Sequence, residues 1–375
     1  MNKIGNQQMM RDINKSLLLH QIYAYGPISR AELARKTKLS PSTVSILIDE
    51  TIREGVVYES GTSGSGVGRR MTLLSIKADS GYALGVDLGG SRCALLNMRG
   101  DIVSSETIPM LRGESEITER LPEIVAAFLE SCRIDTARLR TVGVSVPGRI
   151  DATQRVVVRA SPIEAENFAL ADVVEKATGA RAFLVNDLDA AGFAERFNGA
   201  AQGLDTIVYI LIGYGVGAGI VIDNRVYRGS EGGAGSLPRL YPYGTRRLAG
   251  QLAQEMPRTF PAQDAPEEIL QRFVALGLEQ ADGPAGRQLT QATEAIVEEC
   301  VSIVQLLNPQ QAILSGWIAE NESYFELLKT KIQSRETGKL RRPTPITAAH
   351  WKLQGAAVGA ATLGLHHIFR MREVD

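Results

Sequence analysis

The chain has 375 residues, of which 44% are hydrophobic, and a formal net charge of -1, so it has the composition of a well-buried globular protein with room for a small domain and a two-lobed body. Its cysteines, Cys93, Cys132 and Cys300, are too few and too far apart for a disulfide framework or a cysteine-based zinc site. The longest apolar run, 206–222, contains four glycines and predicts two strands, not a membrane span. Because the chain also begins without the layout of a signal peptide, the expected location is the cytoplasm.

Residues 29–57 have the pattern of two helices joined by a short turn. Ser29 followed by Glu32 is the arrangement of a capping box, and Ser40 followed by Pro41 marks a second helix start. Lys38 lies in the turn where glycine is usual, which predicts an uncommon backbone angle there. The second helix has a buried stripe, predicted to consist of Val44, Leu47, Ile48 and Ile52.

The opposite face of this second helix carries small hydroxyl groups and methyl groups, which can approach phosphates and base edges. An upstream helix with Leu18 and Ile22 would complete a three-helix unit, and two strands around the loop GTSGSGVGRR would form a wing. The paired arginines of that loop are suited to a minor groove. The residues predicted to contact DNA are Ser29, Arg30, Ser40, Ser42, Thr43, Ser45, Ile46, Arg69 and Arg70. The alternative is three ordinary packed helices followed by a linker.

Charge divides the chain at about the same place. Residues 1–77 hold eleven Lys or Arg against six Asp or Glu, whereas the remaining residues hold thirty against thirty-six. A basic amino-terminal domain on an acidic body fits neutralisation of phosphates, although a surplus of this size is modest. We therefore predict a winged helix-turn-helix domain at 1–77 and a separate body at 78–375.

The body begins with a strand and a glycine turn. Residues 82–86 predict a strand that is followed by Asp87, Gly89, Gly90 and Ser91, a combination used in phosphoryl transfer, although such turns are also common in hairpins. A buried strand at 141–147 leads to Gly148, and another at 183–185 delivers Asn186 and Asp187 to its end. Loops at the carboxyl ends of strands are where open α/β sheets bind ligands.

These segments, in this order and at these separations, resemble the ROK family of repressors, uncharacterised reading frames and sugar kinases. The resemblance covers nearly the whole chain and implies an α/β fold, with an amino-terminal winged helix-turn-helix followed by two lobes of an actin-like, sugar kinase-like fold. It also implies a homodimer or homotetramer. In the family the Asn-Asp pair, Asn186 and Asp187 here, binds sugar, and the Asp is the general base of the kinases. A less specific family position that touches sugar corresponds to Asn167.

The chain departs from the family's pattern at its sugar, zinc and phosphate motifs. The family's Ala-Gly-Glu-x-Gly-His is replaced by residues 234–239, in which Ser236 stands for the Glu and Arg239 for the His. The cysteines of the family's zinc loop are absent from 241–248, so we expect no metal and a loop held by Tyr and Leu packing. Tyr214 replaces a small hydroxyl residue in the phosphate-binding turn. Arg239, Arg246 and Arg247 fit either an acidic ligand or, as the simpler alternative, a solvated basic loop.

The resulting interpretation is a transcriptional regulator without enzymatic activity or cofactor, most simply a repressor of carbohydrate uptake or catabolism genes. Its partners would be an inverted repeat in double-stranded DNA and a sugar or sugar-derived effector. The effector is predicted to contact Gly148, Asn167, Asn186, Asp187, Ser236 and Arg239, while 87–91 would be a vestigial phosphate loop. Asp187 has two further interpretations, as a catalytic base or as the N-cap of a helix. The alternative functions are an active ATP-dependent sugar kinase with a fused DNA-binding domain, and a DNA-binding scaffold that responds to a protein partner.

Overall fold

The computed structural model describes residues 3–63, 71–336 and 342–369. Residues 3–76, which we call the head, form three helices and a small antiparallel sheet of order β1-β3-β2. The core of the head is formed by residues such as Leu18, Leu33 and Ile48, each with no exposed side-chain surface. The predicted winged helix-turn-helix is thus confirmed as a fold. Its elements are α1 (Lys3–Tyr25), β1 (Ile28–Ser29), α2 (Arg30–Thr37), α3 (Pro41–Arg53), β2 (Val57–Ser63) and β3 (Met71–Ile76).

A first α/β lobe follows. Its elements are β4 (Tyr82–Asp87), β5 (Arg92–Asn97), β6 (Ile102–Thr107), α4 (Glu114–Ser131), β7 (Leu139–Val146), β8 (Arg149–Ile150), β9 (Val157–Ala160), β10 (Ala165–Phe168), α5 (Leu170–Thr178), β11 (Arg181–Asn186) and α6 (Asp187–Asn198). The main sheet has the order β11-β7-β4-β5-β6, in which β4, β7 and β11 are parallel and β5 and β6 extend it antiparallel. Parallel neighbours end at one edge, so the residues that follow β4, β7 and β11 are brought together.

The second lobe repeats this arrangement. Its elements are β12 (Ile207–Ile212), β13 (Val216–Ile222), β14 (Arg225–Val226), α7 (Thr245–Glu255), α8 (Pro266–Glu279), α9 (Pro284–Leu307), β15 (Gln311–Gly316), α10 (Glu322–Arg335), β16 (Ile346–Ala348) and α11 (Gly355–Phe369). The sheet order is β14-β13-β12-β15-β16, with a hairpin on one side of β12 and two parallel strands on the other. Two lobes of the same topology confirm the predicted actin-like body. Within the described ranges, no helix has the length and apolar character needed to cross a membrane.

The last helix returns to the first lobe and connects it to the head. Glycines permit backbone-to-backbone contact here, because a Cβ on Gly359 of α11 would lie 1.7 Å from the carbonyl oxygen of Ala190 in α6. At its far end α11 packs against α1, where the rings of Phe369 and Tyr23 are 4.6 Å apart. Tyr23 also stacks on Phe197 of α6 at 5.1 Å. The two helices therefore form one packed layer, in which α11 lies against the first sheet and α6 mainly against the second, and both contact Tyr23 of α1 in the head.

Candidate functional site

The helix-turn-helix begins with a complete capping box. The Ser29 Oγ accepts a hydrogen bond from the Glu32 backbone N–H at 3.2 Å, and the Glu32 carboxylate accepts from the Ser29 backbone N–H at 3.1 Å. The Ser29 hydroxyl also donates to this carboxylate at 2.9 Å, and the hydrogen bonds that the carboxylate accepts, first from the Ser29 backbone and then from its hydroxyl, lower the pKa of Glu32. Ser29 is only 2% exposed, so its hydroxyl is enclosed in the capping box. We therefore assign Ser29 to capping α2, and not to the DNA contact predicted for it.

The turn and the start of α3 follow the sequence prediction. Lys38 adopts the left-handed conformation at φ 60°, as its place in the turn indicated. The Ser40 Oγ accepts from the Thr43 backbone N–H at 3.1 Å and lies 2.9 Å from the Ser42 hydroxyl. Pro41 occupies the first turn of α3, where its missing N–H costs no hydrogen bond. Three hydroxyl groups thus cluster at the N-terminus of a helix, the end that attracts phosphate.

The two faces of α3 differ sharply in burial. Val44 and Ile48 have no exposed surface and Leu47 is 3% exposed, whereas Ile46 on the other side is 57% exposed. We call the surface formed by Ser40, Ser42, Thr43, Ser45 and Ile46 the recognition face. Its exposed aliphatic side chain and small hydroxyl groups are available to a partner. Arg69 and Arg70, predicted for the wing, lie outside the described residues.

The carboxyl edge of the first sheet brings together the predicted body residues. Asp87 ends β4 opposite Ser145 of β7, and Asn186 ends β11 opposite Val146. The Asn186 side-chain amide donates to the Gly148 carbonyl at 3.1 Å, which joins the turns after β7 and β11. Gly148 and Asn186 follow Asp87 by 61 and 99 positions in the chain. All three residues therefore lie at one edge of the sheet.

The hydrogen bonds of Asn186 contradict one interpretation of Asp187. Its side-chain oxygen accepts hydrogen bonds from the backbone N–H groups of Leu188 at 2.9 Å and Asp189 at 3.3 Å. Asn186 is therefore the N-cap of α6, and Asp187 is the first residue inside the helix. The interpretation of Asp187 as the N-cap was wrong by one residue, because Asn and Asp are both good caps and the helix begins one position earlier than that interpretation required.

Two carboxyl groups at this edge are electrostatically coupled. Burial raises the pKa of Asp87 to about 6, against the opposing effect of hydrogen bonds from Gly90, Ser145 and Gly89. Burial, followed by the negative charge of Asp87, raises the pKa of Asp187 to about 7. Near neutral pH this pair can therefore both donate and accept hydrogen bonds, as a polyhydroxylated ligand requires. It does not show by itself whether Asp187 takes a proton from such a ligand.

The glycine turn after β4 is shaped around the Asp87 carboxylate. The Asp87 Oδ1 accepts hydrogen bonds from the Gly89 backbone N–H at 3.1 Å and from the Ser145 hydroxyl at 3.2 Å. A Cβ on Gly90 would lie 2.3 Å from the Asp87 Oδ2. Ser145 was not identified from the sequence, since a serine within an apolar strand carries no signal of its partner. Ser91 is buried at a φ of 52°.

The other predicted ligand residues lie in separate surroundings. Asn167 is exposed on β10 at a φ of 51°. The Ser236 hydroxyl lies 2.9 Å from the Tyr241 hydroxyl. Arg239, with a side chain that is 65% exposed, pairs with Glu298 at 3.3 Å and Glu299 at 3.7 Å. These ion pairs favour the solvated basic loop over a ligand contact by Arg239 in this conformation.

The loop in the place of the zinc motif is packed by apolar side chains. Leu240 is fully buried, Leu248 is 5% exposed, and the Trp317 indole N–H donates to the Tyr243 carbonyl at 2.8 Å. This packing agrees with the predicted Tyr and Leu support. Across the described ranges no three His, Cys, Asp or Glu side chains are grouped closely enough to hold a metal ion.

Several charged contacts of the body could not have been found from sequence spacing. Arg246 of α7 lies 5.1 Å over the ring of Tyr214, so the residue that alters the phosphate turn is in contact with one of the arginines of the basic loop. Arg228 pairs at 3.6 Å with Asp189, whose pKa burial raises to about 7. An open groove of about 480 Å³ lies between α7 and α8 and is lined in part by Arg246, but by none of the six residues predicted to contact the effector.

Comparisons with known proteins agree with this architecture. Residues 83–240 match the sequence model of the ROK family. A putative xylose repressor of Caldicellulosiruptor sp. (strain Rt8B.4) is 32% identical over 238 residues, which cover 62% of this chain and 60% of that relative. The DNA-binding transcriptional dual regulator NagC of Escherichia coli (strain K12) is 22% identical over 385 residues, covering 96% of this chain and 94% of NagC.

A solved structure resembles the whole chain, including the head. The crystal structure of a ROK family transcriptional regulator, described as a homologue of the E. coli MLC protein, superposes with a TM-score of 0.80 at 22% identity. The similarity covers 96% of this chain and 97% of that protein, so the head and both lobes share one fold with it. Residues 83–240 of this chain therefore form a ROK family domain.

Proposed function

We propose that this protein is a DNA-binding transcriptional regulator, a repressor of carbohydrate uptake or catabolism genes. The observation that carries the proposal is α3, which buries Val44 and Ile48 and leaves Ile46 57% exposed beside a cluster of hydroxyl groups at its N-terminus. Relatives named as a xylose repressor and as the regulator NagC support this class of function. Because the chain spans only about 60% of the xylose repressors' length, their effector is not transferred to this protein.

The effector we propose is a sugar or sugar derivative bound at the carboxyl edge of the first sheet. Asp87 and Asp187, with raised pKa values, supply donors and acceptors for hydroxyl groups, and the Gly148 turn lies beside them. Asn167 and Ser236 would reach the ligand if the lobes close. A ligand can change the regulator only through different affinities for two states, and α6 connects this edge to the head through Phe197 and Tyr23.

The proposed assembly is a homodimer or homotetramer in the cytoplasm. Two protomers would present their α3 helices to successive major grooves, about one helical turn apart, on an inverted repeat. We place the boundary between the DNA-binding domain and the body at residues 77 and 78, directly after β3.

The direct test is binding of the full chain to the duplex upstream of its own gene. The fluorescence anisotropy of the labelled duplex is measured with the protein alone and with the protein plus each member of a panel of sugars, sugar phosphates and sugar acids. We expect specific binding that one ligand class weakens, and a loss of at least about tenfold for Ile46→Glu. Met10→Glu is the matched control, since Met10 is 51% exposed in the same head and receives the same charge. Absence of specific binding in every condition would defeat the proposal.

The rival function is an ATP-dependent sugar kinase, which the retained Asp187 beside Asp87 favours. It predicts phosphate transfer to a sugar from the same panel, abolished by Asp187→Asn. Robust turnover of that kind would show that the regulator is also an enzyme. The third possibility, control by a protein partner, predicts that no small molecule of the panel shifts the melting temperature.

A further inference from the structure

Arg30 contacts two other elements of the head, α3 and β2. It is the first residue of α2, and its guanidinium lies 2.7 Å from the Asp49 carboxylate and 3.4 Å from the Ser45 carbonyl, both on α3. The other terminal nitrogen lies 3.4 Å from the Glu59 carboxylate on β2, the first strand of the wing. A planar guanidinium with two carboxylates on two different elements fixes their relative direction better than a point charge would.

The geometry points to Arg30 as a positioning residue that sets the angle between α3 and the wing, and so determines which DNA sequence the head prefers. The inference rests on the proposed DNA-binding function and deepens it. It differs from the direct DNA contact that the sequence predicted, because the guanidinium is already shared by Asp49, Glu59 and the Ser45 carbonyl.

The opposite side of α3 is held in a similar way. Arg11 of α1 pairs with Glu50, and Lys15 of α1 pairs with Glu50 at 3.3 Å and with Glu54 at 2.6 Å. Ion pairs therefore brace α3 on both flanks while its recognition face remains uncovered. Each exposed pair contributes little to stability. Their joint effect is on the orientation of α3, which base recognition requires.

A positioning residue and a phosphate contact can be distinguished by how DNA affinity depends on salt concentration. A cation that neutralises a phosphate contributes about 0.9 to the slope of log affinity against log salt, and its loss weakens binding to every duplex alike. A positioning residue leaves that slope and the affinity for unrelated DNA unchanged. Removing the acidic partner separates the two further. Asp49→Asn takes a negative charge from the DNA side, which favours binding on simple electrostatic grounds, whereas the positioning role predicts weaker binding to the preferred sequence.

The experiment uses the full chain and two duplexes, one selected from a random pool by the wild-type protein and one scrambled. We expect Arg30→Gln, Asp49→Asn and Glu59→Gln each to weaken binding to the selected duplex, Arg30→Gln by about tenfold, with unchanged scrambled-DNA affinity and salt slope. The double variant Arg30→Gln/Asp49→Asn is expected to be no worse than Arg30→Gln. Arg30→Lys, which keeps the charge and loses the fork, is expected to recover only part of the preference.

The matched control is Arg35→Gln, which removes the same charge from an exposed position on the same helix. It is expected to leave the ratio between the two duplexes unchanged. Equal losses on both duplexes with a slope reduced by about 0.9 for Arg30→Gln would overturn the inference in favour of a phosphate contact. If the pool yields no preferred duplex, the proposed function fails instead. The positioning contact is then decided by melting temperatures, where non-additive effects of Arg30→Gln and Asp49→Asn support it and additive effects overturn it.

Discussion

The head and the carboxyl edge of the first sheet treat their polar groups in opposite ways. In the head, the buried Ser29 is fully paired with Glu32, and the polar residues of the recognition face are exposed or half-buried. At the sheet edge, burial raises the pKa values of Asp87 and Asp187 to about 6 and about 7, and the negative charge of Asp87 adds to the shift at Asp187. The head therefore presents a recognition face of fixed geometry, whereas the edge holds a pair of carboxyl groups whose charge a ligand, or pH, can change.

The two regions are connected by α6 and α11, which pack closely at glycines. Gly359 permits α11 to contact Ala190 of α6. Gly85 permits β4 to contact α11, because a Cβ on Gly85 would lie only 1.9 Å from the Ala357 carbonyl oxygen. Packing this tight transmits displacement, because an interior at near-crystalline density cannot absorb it. If the contrast between fixed head and variable edge is correct, damage to this layer affects both regions together.

The largest expected effect comes from breaking that layer. We expect Gly359→Ala to lower the free energy of unfolding by about 3 kcal/mol or more, since the added methyl group overlaps a backbone carbonyl that cannot move alone. Urea denaturation of the full chain measures this. Gly250→Ala in α7 is the control, because its Cβ would meet no atom within 4 Å. It is expected to stabilise by about 0.5–1 kcal/mol through helix propensity. Equal effects of the two substitutions would contradict the rigid connection.

The second largest expected effect is on the pH dependence of the free energy of unfolding, which differs between the two regions. Native pKa values of Asp87 and Asp187 above the ordinary value of 3.8 mean that the folded protein binds more protons than the unfolded chain between about pH 4 and 7. This part of the stability is complete below pH 4 and is lost as pH rises through 6 and 7. We expect Asp187→Asn to flatten the decline, by on the order of 1–3 kcal/mol between pH 5 and 8.

The head supplies the comparison for this pH experiment. Glu32 has a lowered pKa, caused first by the hydrogen bonds from Ser29, so its contribution is present at higher pH and is lost only as pH falls below the ordinary range of a glutamate. Glu32→Gln is therefore expected to leave the slope between pH 5 and 8 unchanged. A pH 5 to 8 slope that is identical in wild type and Asp187→Asn would refute the coupled carboxyl pair.

The sequence was more informative about the head than about the sheet edge for a physical reason. Ser29 with Glu32, Ser40 with Pro41, and the buried stripe of α3 are local patterns, set by neighbours within one or two helical turns. The edge was predicted in part, because the strands before Asp87 and Asn186 are recognisable and parallel strands end together. Contacts between distant residues carried no such signal.

Long-range ion pairs illustrate what remained hidden. Arg239 meets Glu298 only after 59 residues, and Arg30 meets Glu59 after 29, so neither pairing is visible as a spacing. The exchange of roles between Asn186 and Asp187 has a different origin. Either residue can cap a helix, and only the backbone geometry of β11 and α6 decides which one does.

The smallest effect tests whether buried and exposed hydroxyl groups in the head have different roles. Ser29→Ala and Ser40→Ala each remove an N-cap and are expected to lower the free energy of unfolding by about 1 kcal/mol. Ser29 is enclosed, so its loss should leave the salt dependence of DNA binding unchanged and reduce affinity only through the stability of α2. Ser40 belongs to the recognition face, so Ser40→Ala should weaken binding to the selected duplex several-fold further at equal stability. Urea midpoints and anisotropy titrations of the same samples measure both quantities. If Ser29→Ala reduced affinity as much as Ser40→Ala with the same salt dependence, the head would contact DNA through its buried cap. The DNA-contacting face would then have to be placed on α2 and not on α3.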